Sequence, residues 1–185
     1  MSLSRFLSTI SLVAAAGSTG CSDDSCGPGG APDVGLVASG SAVTLTYGHL
    51  TSGPNNDCLA SDAPAGVISM TLQGIQTDGA GRITLCVGRP DRFADQALAL
   101  GFAASSPVQV IDFAGAANSC TLAIDRATPP TGTASASGLC GNGDNPAGFA
   151  LVLDAAVTLT RTCGTTVDAV AVTLRGRVAV ASPSR

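Results

Sequence analysis

The alternation of apolar and polar positions is clearest toward the C-terminal end. In "GFALVLDAAVTLTRT" the odd positions Phe149, Leu151, Leu153, Ala155, Val157 and Leu159 are apolar. In "VDAVAVTLRGRVAVA" the even positions Val170, Val172, Leu174, Val178 and Val180 are apolar. Alternation with a period of two predicts strands with one buried face. Between them lies "TCGTT". Gly164-Thr165 suits a two-residue turn, because the first position of a type II′ turn needs a positive φ. That turn sets Leu159 against Val170, Val157 against Val172, Ala155 against Leu174 and Leu151 against Val178. On the opposite face it brings Arg161 to Asp168 and Arg175 to Asp154, exposed ion pairs worth ~0–1 kcal/mol each. A slip of one residue would set each apolar series against a polar one. Both strands are longer than the usual ~3–10 residues. A bend or bulge near Asp154 to Ala156 would let this hairpin wrap two packed sheets.

Shorter strand signals precede it, each bounded by Gly, Pro, Asn or Asp. They are "DVGLVA", "SAVTLTYG", "GVISMTLQGI", "RITLCVG", "PVQVIDF", "SCTLAID" and "GTASASGLC". In "LQGIQTDGAGRITL" a second hairpin is expected, with Asp78-Gly79 as a type I′ turn or a longer loop. The stretch "DRFADQALALGFAA" stays open between a short helix capped by Asp91 and a strand over 97–104. The pattern predicts an all-β fold, an antiparallel β-sandwich of about 8–9 strands braced by disulfides; a small β-barrel is the alternative. The sandwich is expected over 34–182, after a flexible tether at 21–33 and before a disordered C-terminus at 183–185.

Composition strengthens this picture. Every acidic residue is Asp and every basic one Arg. The absence of Glu and Lys removes two good helix formers. Gly, Thr, Val and Ala favour strands and turns instead. Beyond residue 20 there are 8 Arg and 13 Asp, a formal charge of −5. No basic cluster offsets it, so nucleic acid is a poor partner.

The first residues carry a different signal. "MSLSR" is followed by the apolar run "FLSTISLVAAAG" and then small residues. This is the layout of a secretory signal peptide, assigned to 1–20. The run is too short to span a ~30 Å hydrocarbon core as a permanent helix. At "STGC" the chain resembles a bacterial lipoprotein precursor, whose lipobox ends in Gly or Ala before an invariant Cys. The resemblance covers only the first 21 residues, and Ser18 stands where that family usually has Leu. It implies cleavage after Gly20, lipidation of Cys21, and attachment to the membrane through the N-terminal lipid. With Ser22 rather than Asp after the cysteine, it implies an outer-membrane location in the cell envelope. The alternative is an ordinary secreted protein cut after Ala16, with Cys21 a free or intermolecular thiol.

Seven cysteines are an odd number. Committing Cys21 to lipid leaves Cys26, Cys58, Cys86, Cys120, Cys140 and Cys163, in a compartment that permits disulfides. Strands 119–125 and 133–140 flank "RATPPTG"; read as a hairpin, they bring Cys120 and Cys140 to one end. Cys120–Cys140 is therefore favoured on geometry, since Cα atoms must approach within ~7 Å. Cys26–Cys58 and Cys86–Cys163 follow mostly by elimination. If the long strand folds back at its bend, Cys140–Cys163 returns.

Candidate chemistry is sparse. His49 in "TYGHLTSG" is the sole histidine, placed at a strand end. A Ser-His-Asp triad would need it, yet no G-x-S-x-G elbow is present. No P-loop or Rossmann fingerprint appears, and no cofactor is implied. There is no CxxC pair to suggest zinc. "CGNGDNPAG" makes Asn142, Asp144 and Asn145 weak calcium candidates, with a hairpin loop as the plain alternative. The absence of Trp, with a single Tyr, Tyr47, disfavours a carbohydrate-binding surface. No catalytic residue is assigned. The expectation is a non-enzymatic, lipid-anchored envelope protein with a structural or binding role and an unidentified partner. A secreted or anchored hydrolase using His49 is the alternative.

Overall fold

The computed structural model describes residues 35–54, 58–94, 96–142 and 145–181. The segments assigned to signal peptide, tether and C-terminus, with Cys21, Cys26 and Asp144, lie outside the described residues.

Among the described residues, ten strands form one hydrogen-bonded sheet, an all-β, disulfide-braced sandwich. They are β1 (Gly35–Ser39), β2 (Thr44–Pro54), β3 (Met70–Gln76), β4 (Arg82–Val87), β5 (Leu98–Gly101), β6 (Val108–Ala117), β7 (Cys120–Ile124), β8 (Thr131–Asn142), β9 (Asn145–Cys163) and β10 (Thr166–Ala181). The open stretch after residue 90 holds part of each alternative, although Asp91 lies inside the helical turn rather than capping it. A 3-10 helix spans Pro90–Ala94, and β5 follows. β5 pairs with β6 in parallel, so the sheet is mixed rather than purely antiparallel.

The β9–β10 hairpin has the register the alternation predicts. Leu159 opposes Val170, Val157 opposes Val172, and the ladder runs from Cys163–Thr166 to Gly148–Ala181 without a shift. Gly164 has φ +59°, as the first position of a type II′ turn requires. Arg175 reaches Asp154 at 3.0 Å on the exposed face. The Arg161–Asp168 pair is a correction. Residues 161 and 168 share the parity of Leu159 and Val170, so this pair lies on the core face, one rung beyond the last apolar residues. It is bidentate, at 3.0 and 2.6 Å, and half-buried. It closes the end of the core rather than decorating the outer face.

β7 and β8 do not pair with each other. Both run antiparallel to β9, β7 against 159–162 and β8 against its earlier part from Ala156. They lie end to end along the same edge of β9, joined by 125–130. Asp125 organises that connection by accepting from the Ala127 N–H and the Thr128 hydroxyl. The long hairpin therefore has no bulge at 154–156; what changes there is β9's partner.

β6 turns into β7 through Asn118-Ser119, with φ of +51° and +63°. Two positive φ values are the signature of type I′. At this end β7 links β6 to β9; at the other end β5 and β8 fill the gap between them. The ladders run β10–β1–β2–β3–β4–β6–β7–β9 and back to β10. The fold thus keeps a two-faced core while its sides are joined by hydrogen bonds, which leaves no free edge along that circuit.

One core cluster fills the interior, with Leu36, Leu45, Phe113, Leu151, Leu159 and Leu174 fully buried. Tyr47 meets Phe113 edge-on at 5.5 Å and donates to the Ala114 carbonyl at 2.7 Å. Burial, first of all, pushes its phenol pKa upward. Beyond the last β4–β6 pair, the buried Gln76 amide takes over from the ladder. It donates to the Ala116 carbonyl at 2.7 Å and accepts the Ala116 N–H at 2.8 Å. The 77–81 connection between β3 and β4 is accordingly the longer loop, not a two-residue turn.

Gly176 explains the gap in the apolar series of β10. It lies opposite Leu36 of β1, and a Cβ there would run into the Gly35 carbonyl and sit 2.9 Å from Leu36 Cδ2. Gly176→Ala should therefore destabilise the fold by ~1–3 kcal/mol through overpacking. Gly53→Ala, where a Cβ meets nothing within 4 Å, should change it by less than ~0.5 kcal/mol. Urea denaturation of the disulfide-intact protein measures both.

Candidate functional site

Two disulfides are present among the described residues, and neither has the favoured pairing. Cys120, the first residue of β7, bonds Cys163, the last of β9. The β7–β9 register puts the two directly opposite, with Cα atoms 4.4 Å apart. That is close to the ~4.5 Å of a non-hydrogen-bonded antiparallel pair. Cys58 bonds Cys86 of β4, with Cα atoms 6.2 Å apart. Cys120–Cys140, Cys26–Cys58 and Cys86–Cys163 are all replaced. The error lay in reading 119–140 as a hairpin. Because β7 and β8 are collinear, Cys140 falls opposite Gly148, at the far end of β9 from Cys163. At ~3.3 Å per residue, Gly148 and Cys163 are about 50 Å apart along that strand.

The Cys58–Cys86 bond anchors the segment that leads from Cys58 toward β3, and an ion-pair cluster holds the same segment. Ala60 donates its N–H to the Gly88 carbonyl at 3.3 Å. Next along the chain, Arg89 is buried, with only 8 % of its side chain exposed. Its Nε and Nη2 grip Asp91 at 2.9 and 2.7 Å. Its Nη1 lies 2.9 Å from the Asp62 carboxylate and donates to the Asp62 carbonyl at 3.2 Å. Arg92 adds a second contact to Asp62, at 2.6 Å. Pro90 and the 3-10 helix bring Asp91 back beneath Arg89, so "GRPDR" is a local device for burying a guanidinium.

The electrostatics follow from these contacts. Hydrogen bonds from Arg89 hold the Asp91 and Asp62 carboxyls below their ordinary value of 3.8. The guanidinium itself is held still more firmly protonated by Asp91. None of these groups exchanges a proton near neutral pH, so the cluster is a brace and not an acid–base pair. Sequence reasoning missed it. Its available signal was two arginines flanking an aspartate in a chain with only 12 % charged residues.

His49 lies within β2, not at its end. The register shifts between Gly48 and Thr51, so His49 and Leu50 together oppose Gly74, a β-bulge. The bulge changes the inward parity: Leu45 and Tyr47 are buried before it, and Leu50 packs against the core after it. Gly74 leaves the room, since a Cβ there would sit 2.6 Å from Leu50 Cδ2.

Of the calcium candidates, Asn142 and Asn145 are the paired residues that end β8 and begin β9. Among the described residues, no three of His, Cys, Asp or Glu gather as a metal site would need. The seven described aspartates are all engaged. Asp62, Asp91, Asp112, Asp154 and Asp168 pair with arginines. Asp78 accepts from Gln76, and Asp125 holds its own turn. No described helix is long and apolar enough to cross a membrane.

Comparison with protein-family models, with curated proteins and with solved structures finds no match to this chain. Its chemistry is therefore read from its own residues.

The brace has a signed pH dependence. Carboxyls whose pKa falls on folding contribute stability above the unfolded value, and that contribution is lost as the pH drops through the folded one. Arg89→Ala should lower stability at pH 7 by about 2–3 kcal/mol, by stripping charge-assisted hydrogen bonds from a buried position. Asp91→Asn should make the acid limb below about pH 4 shallower. Denaturant titrations at pH 7 and pH 3 give both.

Proposed function

We propose that this chain is a lipid-anchored protein of the bacterial cell envelope, held at the outer membrane through Cys21, with a non-enzymatic structural or binding role. The observation that carries the reading is the pair of disulfides built into the fold of a chain that begins with a signal-like run and "STGC". Disulfides persist in oxidising compartments such as the periplasm and the cell surface. Cysteine arithmetic supports it. With four cysteines paired, Cys21, Cys26 and Cys140 remain. Acylation of Cys21 leaves one further pair and no orphan. A lipidated bacterial cysteine carries more than one acyl chain, which suffices for stable anchoring. The engaged state of the described aspartates favours a scaffold over acid–base chemistry.

One observation favours the second reading, a hydrolase using His49. His49 sits in a bulge, and bulges are over-represented beside active sites.

Intact-mass measurement of detergent-extracted protein should show a chain beginning at an acylated Cys21. An unmodified chain beginning at Gly17 would overturn the anchored reading. Wild type and His49→Ala should be equally inactive on generic ester, peptide and glycoside substrates. Hydrolysis that His49→Ala abolishes would establish the enzyme instead.

A further inference from the structure

The two disulfides differ in their surroundings. Cys86 is fully buried and Cys58 is 7 % exposed. The segment over this bond is fastened by Arg89 and by the Ala60–Gly88 hydrogen bond. Gly88 also packs so closely on the Cys58 carbonyl that a Cβ would lie 2.8 Å from it. Cys120 and Cys163 are both half-exposed. They form the terminal rung between β7 and β9, beside two exposed turns, Asn118-Ser119 and Gly164-Thr165.

We propose that Cys120–Cys163 is a site of thiol–disulfide exchange for a dithiol reductant, and that Cys58–Cys86 is a protected structural bond. Exchange needs a thiolate to reach one sulfur of the bond. The terminal rung offers that approach in the folded protein. The Cys58–Cys86 bond offers it only after the 58–67 segment has opened. In the step itself, a reductant thiolate attacks one sulfur of the pair, and the Sγ–Sγ bond breaks. The other cysteine leaves as a thiolate and takes a proton from water. The reductant's second thiol then displaces the first cysteine and closes the reductant's own disulfide. The protein gains two electrons and two protons; the dithiol loses them.

The position of the bond gives this exchange a structural consequence. At this end of the sandwich β7 connects β6 to β9, with four backbone pairs on each side. The disulfide locks the β9 side of that short strand. Reduction leaves β7 joined to β6 by its turn and its ladder, but held to β9 only by non-covalent contacts: four backbone pairs, the Asp125 N–H to Thr158 carbonyl bond and the burial of Leu122. The circuit of strands thereby acquires a fastening that opens at one end. The inference concerns the folded domain and holds whether or not Cys21 is acylated.

The full oxidised protein is treated with limiting dithiothreitol at neutral pH, alkylated at intervals and peptide-mapped. Cys120 and Cys163 should be labelled roughly tenfold or more faster than Cys58 and Cys86 without denaturant, with the difference collapsing in denaturant. Equal rates, or faster reduction of Cys58–Cys86, in the native protein would overturn the proposal. Amide exchange supplies the second arm. Reduction, or the double substitution Cys120→Ser and Cys163→Ser, should speed exchange at 121–124 and 159–162 and leave 82–87 unchanged. Unchanged protection of β7 would refute its role as an opening fastening.

Discussion

The ladder between β9 and β10 is the constraint on which the rest of the fold depends. It runs through sixteen residue pairs without a shift. Because side chains alternate strictly along a strand, that single register decides which residues of both strands face inward. β1 docks on the outer edge of β10, and Gly176 must lack a side chain for that contact to close. β7 and β8 dock in succession on the outer edge of β9. The same parity carries Arg161, Asp168 and Cys163 onto the core face, where they finish it with a bidentate ion pair and a covalent rung. A slip of one residue would move all of these at once.

The opposite side of the circuit is less regular, and side chains supply what backbone pairing does not. β6 diverges from the β7–β8 edge, and β5 is wedged into the opening as a parallel neighbour. At the last β4–β6 pair the Tyr47 hydroxyl bonds the Ala114 carbonyl of β6, and past it the Gln76 amide bonds Ala116. Unpaired backbone groups at these positions would each cost on the order of 1–3 kcal/mol. Among the described residues, no buried side-chain nitrogen or oxygen lacks a partner. The 58–67 segment is held in the same spirit, by a buried disulfide and a buried guanidinium acting on neighbouring residues. Among the described residues, every aspartate acts as a fastening, to an arginine, to Gln76 or to its own turn. Under the proposed anchored envelope role, such bracing would let the folded domain persist outside the reducing interior of the cell.

Much of the fold was legible in the chain. The strands of the C-terminal hairpin, its turn at Gly164-Thr165 and the Arg175–Asp154 contact follow from alternation and turn chemistry. So does the all-β class. The face of Arg161 was also legible, since 161 belongs to the odd series of Leu159; charge alone suggested the wrong side. The Arg89 cluster was half-legible. "RPD" brings an aspartate back to its arginine locally, but Asp62 lies 27 residues earlier and is delivered by tertiary packing.

The disulfide pairing was not legible. Nothing in "RATPPTG" distinguishes a reversal from a jog between collinear strands, because both require the same Pro and Gly chemistry. By itself, then, the sequence determined the elements, their inward faces and the local hairpin register, since each depends on neighbours within a turn or two. Only the tertiary structure decided that β7 and β8 share one edge of β9, that Cys120 meets Cys163, and that β5 enters as a parallel wedge. Those outcomes depend on which strands meet across long loops, and that choice lies in the packing of the whole core rather than in any local pattern.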